Sequence, residues 1–133
     1  LEFRPEFALA QVYINLNDED IKDDSYEIII PTNTKEEIGL KLRNREARMA
    51  KNVEIGFTFP TTFIIEKTNH NSIFRSKGEQ VVRYSESIVQ GYTNIRYEPL
   101  IITPLEQGVY KVETFIKAEN IEATYRNVTI RVA

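Results

Sequence analysis

Apolar residues return at every second position through most of this chain. That rhythm allows little besides strands with one buried face, because successive side chains of a strand point to opposite sides. The clearest run is Val53, Ile55, Phe57 and Phe59, interleaved with Asn52, Glu54, Gly56 and Thr58 and closed by Pro60. Ala8, Ala10, Val12, Ile14 and Leu16 share a phase, as do Tyr26, Ile28 and Ile30 before Pro31. Ile38, Leu40 and Leu42 are predicted to face inward, with Lys41 and Arg43 outward. Further strands are predicted over 63–65, 80–84, 92–102, 109–117 and 124–132, the last with Val128, Ile130 and Val132 in phase. About seven to ten short strands at such spacing predict an all-β, two-sheet antiparallel sandwich with immunoglobulin-like topology.

One segment offers a choice. Thr34-Lys35-Glu36-Glu37 has the form of a helix capping box, and 44–51 is rich in helix formers. A helix spanning 34–52 would contain Gly39 and would break the alternation at 38, 40 and 42. The expectation is therefore strand, tight connection, strand, with room for one short helical turn near 45–51. The 133 residues contain no repeat, low-complexity tract or linker, so residues 1–133 are predicted to form one domain. Leu1 in place of an initiator methionine predicts that the domain is excised from a longer chain.

Two local patterns sharpen the fold. Glu106-Gln107-Gly108-Val109-Tyr110-Lys111-Val112 resembles the acidic-x-Gly-x-Tyr-x-Cys signature of immunoglobulin domains, with Val112 at the cysteine position. It predicts a tyrosine corner, in which the Tyr110 hydroxyl bonds backbone a few residues upstream. The stretch from Leu42 to Val53 resembles the Asn-x-Gly-x-x-x-Ala-x-Asn-Val turn of bacterial immunoglobulin-like modules of the cell-adhesion-related (CARDB) type. Asn44, Ala50, Asn52 and Val53 match in spacing, and Glu46 stands at the glycine position. The resemblance implies a structural turn formed by Asn44 and Asn52, and a fold rather than a reaction.

Composition narrows the chemistry. With no cysteine, the chain has neither disulfides nor thiolate nucleophiles nor Cys-ligated zinc. A missing bridge also tilts an immunoglobulin-like domain toward a bacterial or archaeal source. The single histidine, His70, lies in the polar run Thr68-Asn69-His70-Asn71-Ser72, where a loop tip is expected. No Gly-x-Ser-x-Gly elbow or Gly-rich phosphate loop occurs. A net charge of −3 argues against a nucleic-acid partner. No apolar stretch approaches the roughly 20 residues that a membrane-spanning helix needs. No catalytic residue and no cofactor is predicted.

Three binding candidates remain. Asp18, Asp20, Asp23 and Asp24 form an acidic loop of the kind that can hold calcium, although Lys22 interrupts it and the EF-hand spacing is missing. Arg43, Arg45, Arg48 and Lys51 form a basic turn able to engage an anionic partner. Tyr84, Tyr92 and Tyr97 cluster in sequence and could stack on sugar rings. Asn127-Val128-Thr129 reads as a glycosylation sequon but falls within the last strand. The expected function is a non-enzymatic structural or protein-interaction module of a larger, cell-envelope-associated bacterial protein. Such a module would be extracytoplasmic, tethered by an upstream segment, with a protein or a neighbouring domain as partner and no direct membrane insertion; a cytoplasmic location stays open. The alternative is a carbohydrate-binding accessory module.

Overall fold

The computed structural model describes residues 11–119 and 121–133. The predicted positions Ala8 and Ala10 lie outside them. All regular structure among the described residues is strand: β1 (Val12–Leu16), β2 (Glu19–Asp20), β3 (Glu27–Ile30), β4 (Glu36–Ile38), β5 (Leu40–Asn44), β6 (Ala50–Pro60) and β7 (Phe63–Ile65). They are followed by β8 (Asn71–Ser76), β9 (Glu79–Val89), β10 (Asn94–Arg96), β11 (Leu100–Pro104), β12 (Gly108–Glu119) and β13 (Ile121–Val132). One layer is a six-stranded sheet ordered β3-β13-β12-β6-β9-β8. The other consists of two ladders, β10-β5-β1-β2 and β4-β11-β7. Gly39 separates β4 from β5 and Pro99 lies between β10 and β11, so the second layer breaks where both strands are interrupted.

The alternating residues meet between these layers. Ile14, Leu16, Leu40, Leu42, Leu100 and Ile102 from one side are buried against Ile55, Phe57, Phe59, Val82, Val128 and Ile130 from the other. Phe57 and Tyr84 meet edge to face, with ring centroids 6.4 Å apart. Large aromatic groups packed this way supply much of a sandwich core's stability. The predicted in-phase positions of β3, β5, β6 and β13 all point inward.

Four details differ from expectation. Thirteen strand segments occur among the described residues, more than anticipated, because bends cut several strands into short pieces. One pairing, β3 with β13, is parallel, joining Ile28 to Ile130 in register. Residues 71–76, expected in part as a loop tip, form the edge strand β8. No helical turn forms near 45–51. There the buried Asn44 side chain takes the place of helical bonding: its Nδ2 donates to the carbonyls of Arg48 (2.9 Å), Gln90 (3.2 Å) and Val89 (3.3 Å). Its Oδ1 accepts the Glu46 amide at 3.1 Å. Such side-chain bonds compete with the backbone ladder of a helix. Glu46 is not among the residues with positive φ, so the turn does not need glycine there. The glycine that matters is Gly91, whose added Cβ would lie 2.0 Å from the Ala47 carbonyl oxygen.

Asn52 takes φ 52°, and the register between β12 and β6 shifts between Lys117 and Glu119, marking a bulge. Its Nδ2 donates to Glu119 at 2.7 Å across that bulge. The tyrosine corner forms as expected. Tyr110 donates to the Glu106 carbonyl at 2.9 Å, and its ring packs edge-on to Phe63.

Candidate functional site

The sandwich has two outer faces, and they treat their charges differently. On the four-stranded ladder, β1 pairs with both β2 and β5, and this register puts the acidic loop beside the basic strand. Asn17 and Asp18 take φ 50° and 68°, the two positive values a tight I′ hairpin requires. Lys41 then reaches Asp18 at 2.7 Å. Asp20 is nearly enclosed, with 5 % of its side chain exposed, between Arg45 at 2.8 Å and Arg43 at 3.4 Å. Asn15 donates to the same carboxylate at 2.8 Å. Burial pushes the Asp20 carboxyl up, but the bonds from Asn15 and Arg45 and the charge of Arg43 outweigh it and hold the group below its ordinary value. The Lys41 bond and charge lower Asp18 in the same direction.

The acidic and basic candidates are therefore largely each other's partners. Asp23 accepts from the hydroxyl and amide of Ser25, and Asp24 accepts the Asn127 amide at 2.7 Å. The four aspartates turn to different partners, and no group of three or more His, Asp or Glu able to hold a metal occurs among the described residues. Arg48 pairs with Glu46 at 3.1 Å, while Lys51 is exposed on β6. Asn127, of the sequon, is paired with Glu113 within β13.

The tyrosine cluster does not form a stacking platform. Tyr84 and Tyr97 are buried with ring centroids 4.8 Å apart, and only Tyr92 is open, 75 % exposed on a turn. Tyr97 donates to Glu86 at 2.9 Å, and burial together with that carboxylate pushes its hydroxyl far up. Sugar recognition by a planar tyrosine row is excluded by this arrangement. His70 is exposed, with its ring near Tyr97. A cleft of about 250 Å³ opens between the layers near Val12, Ile21 and Ile116, and among the described residues no carboxylate lines it.

The outer face of the six-stranded sheet is built otherwise. Cross-strand register aligns Arg83, Gly56, Phe115 and Tyr125 in one row, with Phe74, Val81 and Thr58 in the next. A Cβ at residue 56 would lie 2.2 Å from the Phe115 ring, so glycine lets that ring lie across β6. Lys117 sits over Phe115 at 5.0 Å, and the Arg83 guanidinium lies 4.9 Å from the centre of Phe74. Phe74 and Tyr125 are 54 % and 50 % exposed. Arg83 Nε is buried without an acceptor among the described residues. None of these residues stood out in sequence. The signal that could have found them was Gly56 itself, a glycine in the middle of the strongest strand, which marks a close approach from a neighbour.

No protein-family model matches the sequence. No curated protein matches it either. Solved structures do match in fold. The seventh ScaB type I cohesin of Pseudobacteroides cellulosolvens superposes with a TM-score of 0.53 at 13 % identity, covering 91 % of this chain and 92 % of that one. A chain of a type I cohesin–dockerin complex from Clostridium thermocellum gives 0.51 at 8 % identity, covering 92 % and 99 %. BslA, a bacterial hydrophobin, gives 0.51 at 15 %, covering 95 % and 96 %. At these identities the likeness is one of fold, and the chain is an all-β sandwich similar to cohesin modules.

Proposed function

We propose that this domain is a non-enzymatic protein-interaction module that binds a protein partner, or a neighbouring domain of its own chain, through the outer face of the six-stranded sheet. The observation that carries the reading is the pair of cation–aromatic stacks, Arg83 on Phe74 and Lys117 on Phe115, beside the exposed Tyr125. Aromatic and arginine side chains dominate the energetic centres of protein interfaces. Here they lie on a regular sheet, held in place before any partner arrives, which limits the entropy lost on binding. The Arg83 guanidinium, held on Phe74 with no salt bridge among the described residues, favours a partner that presents a carboxylate flanked by apolar groups.

Cohesin-like sandwiches support the class, since one similar structure is a cohesin–dockerin complex. The Asn44–Val53 turn, which resembles that of CARDB-type modules, points the same way. We place the domain in a larger, envelope-associated bacterial protein, on the extracytoplasmic side, on the strength of that resemblance and the cysteine-free sequence. A photo-crosslinking residue introduced at Tyr125 should capture the partner in cells, and the same residue at Tyr13 on the opposite face should not. Capture from Tyr13 alone would overturn the assignment of the face.

A further inference from the structure

The six-stranded sheet ends in β8, whose far side carries no ladder among the described residues. Natural edge strands are usually shielded by prolines, bulges, inward charges or extreme shortness. β8 runs for six residues with an unbroken register to β9 and no proline, and its one charged residue, Arg75, in phase with the core-packed Ile73, is the single shielding device on this edge. Ser76 and Glu79 pair across the two-residue turn Lys77-Gly78 and form its closing, bonded pair. Alternating inward from that pair, Ser72, Phe74 and Ser76 direct their backbone groups to β9, and Ile73 and Arg75 direct theirs to the free edge.

The edge is also symmetric about Phe74, with serine two positions away on each side. We propose that β8 is a self-association edge, pairing antiparallel with β8 of a second copy about a two-fold axis at Phe74. In this register the two Phe74 rings face each other in a non-bonded pair, where side chains approach most closely. Ser72 of each copy lies opposite Ser76 of the other. Ile73 lies opposite Arg75 of the second copy, so the outward backbone groups bond one another and no like charges are juxtaposed. Both outer faces stay on the same side of the joined sheet. The contact is isologous and closes at two copies, as a two-fold operator requires. It goes beyond partner binding, because it can hold or fail whatever the aromatic face binds. Edge pairing covers little area, so the dimer is concentration-dependent.

Because the chain has no cysteine, a single engineered thiol reports the register. Opposed Cα atoms in a non-bonded pair lie about 4.5 Å apart, within disulfide reach. Under mild oxidation, Phe74→Cys is expected to form a disulfide-linked dimer at least tenfold faster than Ser85→Cys, an exposed control on β9. Sedimentation velocity should show a wild-type dimer that grows with concentration and is lost in Arg75→Pro. That variant removes an outward N–H and leaves the ladder to β9 intact, and its far-UV spectrum and melting curve verify the fold. A wild type that stays monomeric to its solubility limit, with equal crosslinking of the two thiols, overturns the proposal. A dimer that survives Arg75→Pro, or that crosslinks through Ile73→Cys instead, also overturns it.

Discussion

The two outer faces of this sandwich carry similar side chains and spend them differently. On the four-stranded ladder, Lys41, Arg43 and Arg45 are answered by Asp18 and Asp20 of the same chain. On the six-stranded sheet, Arg83 and Lys117 rest on aromatic rings and have no salt bridge among the described residues. A cation already paired within the fold contributes to stability and has little left for a partner. A cation held over an exposed ring is positioned and only partly satisfied, which makes it available for an interface. Charge by itself therefore does not mark the binding face; the absence of an internal counter-ion does.

This contrast can be broken by substitution. The largest stability loss is expected outside both faces, at Asn44→Ala, which removes four hydrogen bonds and strands buried carbonyls of two turns. About 2–4 kcal/mol should be lost in urea denaturation. On the charged face, Asp20→Ala should cost about 1–3 kcal/mol, the buried pair being discounted because both arginines are partly exposed. Partner affinity should not change.

On the aromatic face, Gly56→Ala should cost about 1–3 kcal/mol by displacing the Phe115 ring, and it should weaken partner binding as well. Arg83→Ser should fall within about 0.5 kcal/mol of wild type in stability and still reduce partner affinity tenfold or more. If Arg83→Ser destabilised the domain as much as Asp20→Ala, the distinction between the faces would fail.

The charged face also carries the acid sensitivity. Asp18 and Asp20 both have carboxyls held below the ordinary aspartate range by their cationic and amide partners. A depressed carboxylate contributes stability that is complete above its unfolded pKa and is lost as pH falls through the lower folded value. The melting temperature should therefore drop on acidification below about pH 4. An Asp20→Asn variant, already lower at neutral pH, should show a shallower decline over the same range.

How much of this was readable in advance follows from the range of the interactions. Ile55, Phe57 and Phe59 announced their burial because a period of two with one buried face is a local signal. Tyr110 was legible for the same reason: its hydroxyl acceptor is four residues away. The edge strand β8 was missed because its pattern is inverted, with Phe74 exposed and Asn71 buried. Asn71 looked like loop in sequence, and its side chain in fact closes the turn by accepting the Thr68 amide. The parallel pairing of β3 with β13 joins segments about a hundred residues apart and leaves no trace in either segment's periodicity.

The pairing of the charged candidates was hidden for the same reason. The aspartates and arginines were read as separate loops, but the β1–β2 hairpin and the β1–β5 ladder fold them together. The aromatic face was invisible because Phe74, Arg83, Phe115 and Tyr125 come from four strands and meet only through register.

The central claim, that the six-stranded sheet presents the binding face, is tested most directly by hydroxyl-radical footprinting of the domain alone and within its assembled parent complex. Tyr125 should lose most of its reactivity on assembly, while Tyr13 on the charged face keeps its own. Protection of Tyr13 with Tyr125 unchanged would contradict the account.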